Sequence, residues 1–513
     1  MFNSDNLSIN ENNHLTIGTH DTVELAKEYG TPLYVLDEDL MRKNCRDYKE
    51  SIDKYYNGNG LILFASKALC TMYTAKLAKS EGLGADVVSG GELYTLYKAA
   101  FPMDKVFFHG NNKTQSEIEL AIHCGVGHIV VDNKYELDLL NDIAKEKGII
   151  QKILFRIKPG IDAHTHDFVK TGQIDSKFGV ALENGEAFEI HKYATTLSNI
   201  QVDGVHCHIG SQIFEFEPFC EAAKVMMNFI ADLEAKLSLK IKILNLGGGF
   251  GIKYDSTDDP LTPAEYIKKT AEAVKEVAME RNIDLPYLVF EPGRSIVAPA
   301  GITLYTVGGV KEIENVRTYV SIDGGMGDNP RYILYGAKYS AVVANNAGAK
   351  PIAPVTIAGK CCESGDLIQE NIMMPEIKVG DTLAILATGA YNYSMASNYN
   401  RIARPAVVMV NDGKSRIIIK RETYEDDEGM QHKNSIRSGW EKNREAAVLI
   451  PDFVLSALAC TAEAHLAERT ILGKEQRCTA VYDHFQCRIS AVGFMVCVNH
   501  FADLGPVQFV GQC

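Results

Sequence analysis

Eight short apolar runs, separated by amphipathic stretches of helical length, dominate residues 61 to 291 of this 513-residue chain. The runs lie at 61–66, 84–88, 105–108, 127–131, 152–157, 202–207, 241–246 and 287–291. Between them, 71–81, 114–124, 135–147, 217–237 and 262–282 carry the spacing of one-sided surface helices. Runs this rich in aliphatic and aromatic side chains are strands buried on both faces. Eight of them alternating with helices over about 240 residues is the count and size of a (β/α)8 TIM-type barrel, an α/β fold. An open, doubly wound sheet has the same alternation, so the count favours the barrel and leaves the sheet as the alternative.

The rhythm stops near residue 303. Stretches 302–310, 317–322, 353–357, 382–386, 406–410 and 416–421 are β-like, with Gly-rich connections and few helices. The expected division is therefore an N-terminal segment (1–31), the barrel (32–302), an all-β domain of sandwich or barrel type (303–427) and an unassigned extension (428–513). In the N-terminal segment a strand near 14–18 is expected to join the β domain's sheet, followed by a helix over 23–29 and a strand-like 31–37. The extension opens on an acidic, Gly-containing linker. It carries Trp440, a helix expected at 453–468 and the cysteines Cys460, Cys478, Cys487, Cys497 and Cys513.

Composition narrows the function classes. With 46% hydrophobic and 23% charged residues the chain can bury a large core. A formal net charge of −14 disfavours nucleic acid or an anionic membrane as partner. No apolar run approaches ~18 residues, so no membrane span is expected. The polar stretch Met1–His14 lacks the apolar core of a signal peptide, and the 12 cysteines lack CxxC or Cys/His spacing. Reduced thiols in a cytoplasmic protein are expected.

Lys67 closes the first apolar run, Leu61-Ile62-Leu63-Phe64-Ala65-Ser66. A buried ammonium is costly unless it is paired or gives up its proton to become a nucleophilic amine; alternatively the stem simply carries the charge to solvent. The other strand ends tip the balance, because a barrel gathers its functional groups there. They read Asp86 with Ser89-Gly90-Gly91, His109, Arg156 and Lys158, then His206 and His208, Gly247-Gly248-Gly249, and Glu291-Pro292-Gly293-Arg294. A merely structural barrel has no need of so many polar residues and glycines at its strand ends. The glycine run after the seventh strand can close backbone N–H groups around an anion, and Arg294 adds a cation at the usual phosphate position of a barrel. A phosphate beside a strand-end lysine points to pyridoxal phosphate. Glu291 would then face the pyridine nitrogen, a role compatible with a buried salt bridge to an arginine. His206 and His208 share one face of their strand. Metal ligation finds no third ligand at suitable spacing, so no metal is expected and an imidazole stacked on the cofactor ring fits better.

Taken together these motifs resemble the fold-type III pyridoxal-phosphate-dependent decarboxylases, and within them the members that act on meso-diaminopimelate. The resemblance spans about Pro32 to Tyr424. It rests on Phe64-Ala65-Ser66-Lys67-Ala68, on 84–93, on Phe108-His109-Gly110-Asn111-Asn112-Lys113 and on Ser176-Lys177-Phe178-Gly179. His206-Cys207-His208-Ile209-Gly210-Ser211-Gln212, the glycine run and Glu291-Pro292-Gly293-Arg294 continue it, and 328–332, 362–366 and 389–391 carry it into the β domain.

The resemblance implies conversion of meso-diaminopimelate to L-lysine and carbon dioxide, with Lys67 as the Schiff-base lysine. It implies that Asp86 belongs to the cofactor site and that His208 stacks on the ring. Ser211, Gly248, Gly249, Arg294 and Tyr391 would surround the phosphate, with Glu291 on the pyridine nitrogen. Arg294, Arg331 and Tyr335, with Tyr391, would hold the distal carboxylate of the amino-acid substrate, and Glu363 its distal amine. Cys362 would be the proton donor, reaching in from the neighbouring subunit of a homodimer; spacing alone would make it a structural thiol beside Cys361. Ornithine or arginine decarboxylases fit less well, since their substrates lack the distal carboxylate. A related racemase would place an arginine where Glu291 stands. A cofactor carrier without turnover would have no use for the full set of Lys67, Glu291, Cys362 and Arg331. The extension at 428–513 resembles nothing in this group.

Overall fold

The computed structural model describes residues 2–161 and 176–429. Its barrel strands, numbered in chain order, are β1 (Gly60–Ala65), β2 (Gly84–Val87), β3 (Val106–Phe108) and β4 (His128–Val131). They continue with β5 (Gln151–Lys158), β6 (Ile200–His206), β7 (Ile243–Asn245) and β8 (Tyr287–Phe290). Each pairs in parallel with the next. β8 returns to β1 through Leu288–Gly60, Val289–Leu61 and Phe290–Ile62. That closure excludes the open sheet. Leu63, Phe107, Val130, Leu154, Ile243 and Val289 plug the barrel with a cluster of their own, leaving the strand ends above them to carry chemistry.

The helices start where the sequence provides caps. Thr71, Thr114 and Thr262 each accept the N–H three residues on, and Thr74, Glu117 and Glu265 reach back in return. Ser89, grouped above with the strand-end residues, is such a cap: its Oγ accepts from the Glu92 N–H at 3.3 Å and starts the helix Gly90–Lys98. Only the short helix Arg294–Val297 follows β8 directly. The helix Glu38–Tyr56, which precedes β1, fills the vacant place beside Pro263–Arg281, where Lys275 Nζ donates to Tyr55 O at 2.7 Å. Lys113 is buried, its Nζ donating to Gly110 O (2.8 Å), Val130 O (2.7 Å) and Glu136 Oε1 (2.7 Å). It ties the loop after β3 to β4 and the helix Lys134–Lys147, a structural post whose charge is fully matched.

The β domain is built on the long strand Gly301–Ile313, which pairs with Arg317–Ile322, Thr382–Leu386 and Leu33–Asp37. Leu33–Asp37 also runs parallel to Ala406–Asn411. It lies inside the β-domain sheet, so the boundary expected at residue 32 is misplaced. An apolar run tells that a strand is buried on both faces, not which strands flank it. The opposite correction holds near residue 15. Leu15–Ile17 pairs with Leu7–Ile9 and His20–Asp21 in a small separate sheet. The N-terminal segment meets the β domain by packing: Leu7, Leu15, Ile17, Val23 and Leu25 cluster with Leu33, Ile302, Leu304 and Val408. Within the β domain two strands fall outside the β-like stretches, Ala341–Val343 and the edge strand Leu367–Met374, which mixes polar and apolar residues.

Barrel and β domain form one compact unit ending at Glu422, and a second unit begins at Thr423, before the boundary expected at 427. The segment read as a linker opens with a helix, Tyr424–Gly429, where Thr423 and Asp426 cap each other's N–H groups. The helix expected at 453–468, Trp440 and the tail cysteines lie outside the described residues. Among the described residues no helix is long and apolar enough to cross a membrane.

Candidate active site

The strand ends and one edge of the β domain enclose a cavity of about 450 Å³. Lys67 stands in its wall, in the tight turn Ser66–Ala68 that ends β1, with its side chain accessible from the cavity. Burial on its own would depress the ammonium. The Tyr391, Asp86 and Glu291 side chains around it more than offset that and raise its pKa. Asp86, on β2, goes the other way from an ordinary carboxylate: burial, reinforced by the charge of Glu291, holds it well above the usual range despite Lys67.

Glu291 follows β8 and is clamped from three sides. Asn245 Nδ2 donates to its Oε1 at 2.7 Å, and Asn245 is itself fixed because its Oδ1 accepts the Gly247 N–H at 2.9 Å. His109 Nε2 lies 2.8 Å from Oε1 and His206 Nε2 lies 3.5 Å from Oε2. Burial would push the Glu291 carboxyl up, but these imidazoles reverse the effect and hold it well below the usual range. Burial in turn drives His206 down to about 3, so its imidazole is neutral. Strand alternation puts His206 and His208 on one face, and both line the cavity: His206 is buried beside Glu291, whereas His208 stands past the end of β6, partly exposed in the cavity wall. Nor is a third metal ligand missing, as sequence spacing had it, because His109, His206 and Glu291 present ligand atoms within 4.8 Å of one another. At 2.8 Å His109 Nε2 touches Oε1 directly, and Asn245 Nδ2 donates to the same oxygen.

Against the Glu291 backbone, Gly248 and Gly249 form a cradle with no room for side chains. A Cβ on Gly248 would lie 2.1 Å from Glu291 O, and Gly249 (φ +114°) could add one only 2.3 Å from Gly210 O. Arg294 reaches this cradle, Nη2 donating to Ser211 Oγ at 2.8 Å while its guanidinium sits 4.8 Å from the centre of the Tyr391 ring. Tyr391 has φ 63°, rare for a non-glycine residue, and its N–H donates to Ala68 O at 3.0 Å, which pins the β domain to the Lys67 turn. Arg331, at the start of the β-domain helix Arg331–Tyr335, brings a second guanidinium, 5.6 Å from the ring centre of Tyr335. Both arginines are 7% exposed, and among the described residues neither pairs with a carboxylate.

Of the residues expected from sequence, Lys67, Asp86, His208, Ser211, Gly248, Gly249, Glu291, Arg294, Arg331, Tyr335 and Tyr391 all line this one cavity. Cys362 and Glu363 do not. They are exposed on the loop between strands Ala353–Ala358 and Leu367–Met374, where the Cys362 N–H donates to Asn400 Oδ1 at 2.6 Å. Asn245 and Tyr254 were not anticipated. A polar residue ending the apolar Ile243–Asn245 strand was the available signal for the first; the second sits in an irregular loop that offers none.

Comparison with known proteins agrees with this geometry. Residues 38–298 match the family model described as pyridoxal-dependent decarboxylase, pyridoxal binding domain. The chain is 50% identical over 420 residues to a diaminopimelate decarboxylase of Bacillus subtilis, covering 81% of this chain and 95% of that one. Among solved structures, diaminopimelate decarboxylase from M. jannaschii in complex with L-lysine superposes with a TM-score of 0.78 at 36% identity, over 84% of this chain and 99% of that one. The Helicobacter pylori enzyme complexed with L-lysine gives 0.74 at 32% identity, over 80% and 99%. With a closed barrel, a strand-end lysine inside it and this likeness along nearly the whole length of its relatives, the chain belongs to the diaminopimelate decarboxylase family of pyridoxal-dependent lyases.

Proposed function

We propose that this chain binds pyridoxal phosphate and converts meso-diaminopimelate to L-lysine and carbon dioxide. The observation that carries the reading is the composition of this one cavity: a lysine, an ionised glutamate and two buried guanidinium groups that have no carboxylate partner among the described residues. The residues fit the cofactor. The Gly248–Gly249 cradle excludes side chains but leaves room for an anion, and the buried Arg294 Nε and Asp86 Oδ1 have no hydrogen-bond partner among the described residues. Lys67 would attach it, with Asp86 beside the lysine and His208 against the ring. Ser211, Gly248, Gly249, Arg294 and Tyr391 would take the phosphate, and Glu291 the pyridine nitrogen. When bound, the cofactor supplies an electron sink for the pair left behind as carbon dioxide departs.

The chain's own residues would do the rest. Arg294 and Arg331, with Tyr335 and Tyr391, would hold the carboxylate at the far end of the substrate, spending remote binding energy on orientation at the reacting carbon. Ornithine and arginine have no such carboxylate, so this pair favours a diacid. Glu291, held as an anion by Asn245, His109 and His206, counts against a racemase, which would use a cation there. Purified protein with pyridoxal phosphate is expected to release lysine from meso-diaminopimelate and to leave lysine, ornithine and arginine unchanged, as read by chromatography of the products. Preferential turnover of ornithine or arginine would sink the assignment.

Cys362 and Glu363 are off the cavity of their own chain, which supports a homodimer in which each subunit lends this loop to the other's site: Glu363 for the distal amine, Cys362 as proton donor. Lys67→Ala and Glu363→Ala proteins, each nearly inactive, should then complement each other. Random reassortment gives half heterodimers with one intact site each, so about a quarter of wild-type activity should return after mixing. Mixtures that stay inactive despite subunit exchange would rule out the shared site.

A further inference from the structure

Behind the two arginines stands Tyr254, off the cavity wall and buried. Its Oη accepts from Arg294 Nη1 at 2.6 Å and from Arg331 Nη1 at 3.0 Å, one oxygen bridging two cations that come from different parts of the fold. Arg294 begins the short helix after β8 and Arg331 lies in the β domain, so the bridge spans both. The tyrosine is firmly mounted. Its N–H donates to Asp258 Oδ2 at 2.9 Å, its carbonyl accepts from Ser340 Oγ at 2.8 Å, and its ring meets Tyr339 edge-on at 5.3 Å. Tyr339 Oη in turn accepts from Arg331 Nη1 at 3.2 Å. Two guanidinium groups converging on one small anion repel each other and need a fixed acceptor between them to hold their spacing before that anion arrives. Burial raises the Tyr254 phenol, but the two guanidinium groups outweigh it and lower its pKa, as an oxygen serving as shared acceptor should behave.

We propose that Tyr254 is a positioning residue that braces Arg294 and Arg331 into one fork for the distal carboxylate, and so sets the enzyme's preference for ligands that carry that group. The inference rests on the substrate reading above and assigns the fork's geometry to a residue that touches neither substrate nor cofactor. The brace acts on one end of the ligand only. Its loss must therefore weaken carboxylate-bearing ligands and spare those that offer the amine alone.

L-lysine and cadaverine make that comparison, since they share the chain and the amines and differ by the carboxylate. Their inhibition constants would be measured on cofactor-loaded wild type and Tyr254→Phe, beside KM and kcat for meso-diaminopimelate. We expect lysine to bind about tenfold more weakly to the variant, the loss of a charge-assisted hydrogen bond, with cadaverine unchanged within about twofold. KM should rise about tenfold with kcat nearly constant. Unchanged cadaverine affinity and unchanged visible absorbance of the cofactor report that the variant is folded. A lysine-to-cadaverine ratio that stays at its wild-type value, whether both bind normally or both weaken, overturns the role of Tyr254. A wild type that itself ignores the carboxylate overturns the substrate reading, and the brace with it.

Discussion

Replacing Lys67 by alanine should abolish lysine formation, by at least about ten-thousandfold in kcat, while leaving the protein folded. Covalent attachment of the cofactor depends on an amine at this point, and among the described residues no other lysine lines the cavity. The same geometry limits the structural damage. Lys67 projects from the turn Ser66–Ala68 into the cavity and makes no hydrogen bond or ion pair among the described residues, so truncation should change stability by less than about 1 kcal/mol. Attack on an aldehyde needs the neutral amine, whereas Tyr391, Asp86 and Glu291 hold it as ammonium. Visible absorbance after adding pyridoxal phosphate, thermal unfolding and product analysis together test this. Residual turnover above about a hundredth of wild type, or retained absorbance, would show that another nucleophile serves.

The barrel was legible because its strands are buried on both faces and so stand out as apolar runs against amphipathic helices. Its chemistry was legible for a related reason: a lysine, a glutamate or a glycine run ending such a strand has no structural reason to be there. What could not be read are choices made between distant segments. Nothing in Leu33–Asp37 distinguishes a barrel strand from one that pairs with Gly301–Ile313 and Ala406–Asn411. Tyr254 meets Arg294 at a separation of 40 residues and Arg331 at 77, from a loop with neither periodicity nor motif. Asn245 could have been suspected as the polar end of an apolar strand, but its target, Glu291, is 46 residues away. Cys362 and Glu363 form the extreme case. Resemblance alone singled them out, and their own chain leaves them at the surface.

Glu291→Gln should lower kcat on the order of a thousandfold, about 4 kcal/mol, with little change in KM for meso-diaminopimelate and with cofactor still bound. Glutamine keeps the size of the side chain, so the contacts with Asn245, His109 and His206 change in polarity but not in space. What disappears is the negative charge. In a buried setting a carboxylate a few ångströms from a ring nitrogen is worth several kcal/mol in favour of its protonated form, and no other anion here is placed to substitute. Asp86 is the only other carboxylate lining the cavity among the described residues, and with its carboxyl held well up it is not a fixed negative charge. The two carboxyls are thus driven apart by their surroundings, Glu291 down by the neighbouring imidazoles and Asp86 up by burial and by Glu291 itself. One consequence can be measured separately from rate. Losing the Glu291 charge removes one of the causes that raise Asp86, so an acidic limb of the kcat/KM profile set by Asp86 should shift to lower pH in the Gln variant. A variant with kcat within about tenfold of wild type and an unshifted profile would mean that the clamp of Asn245, His109 and His206 serves the fold and not the reaction.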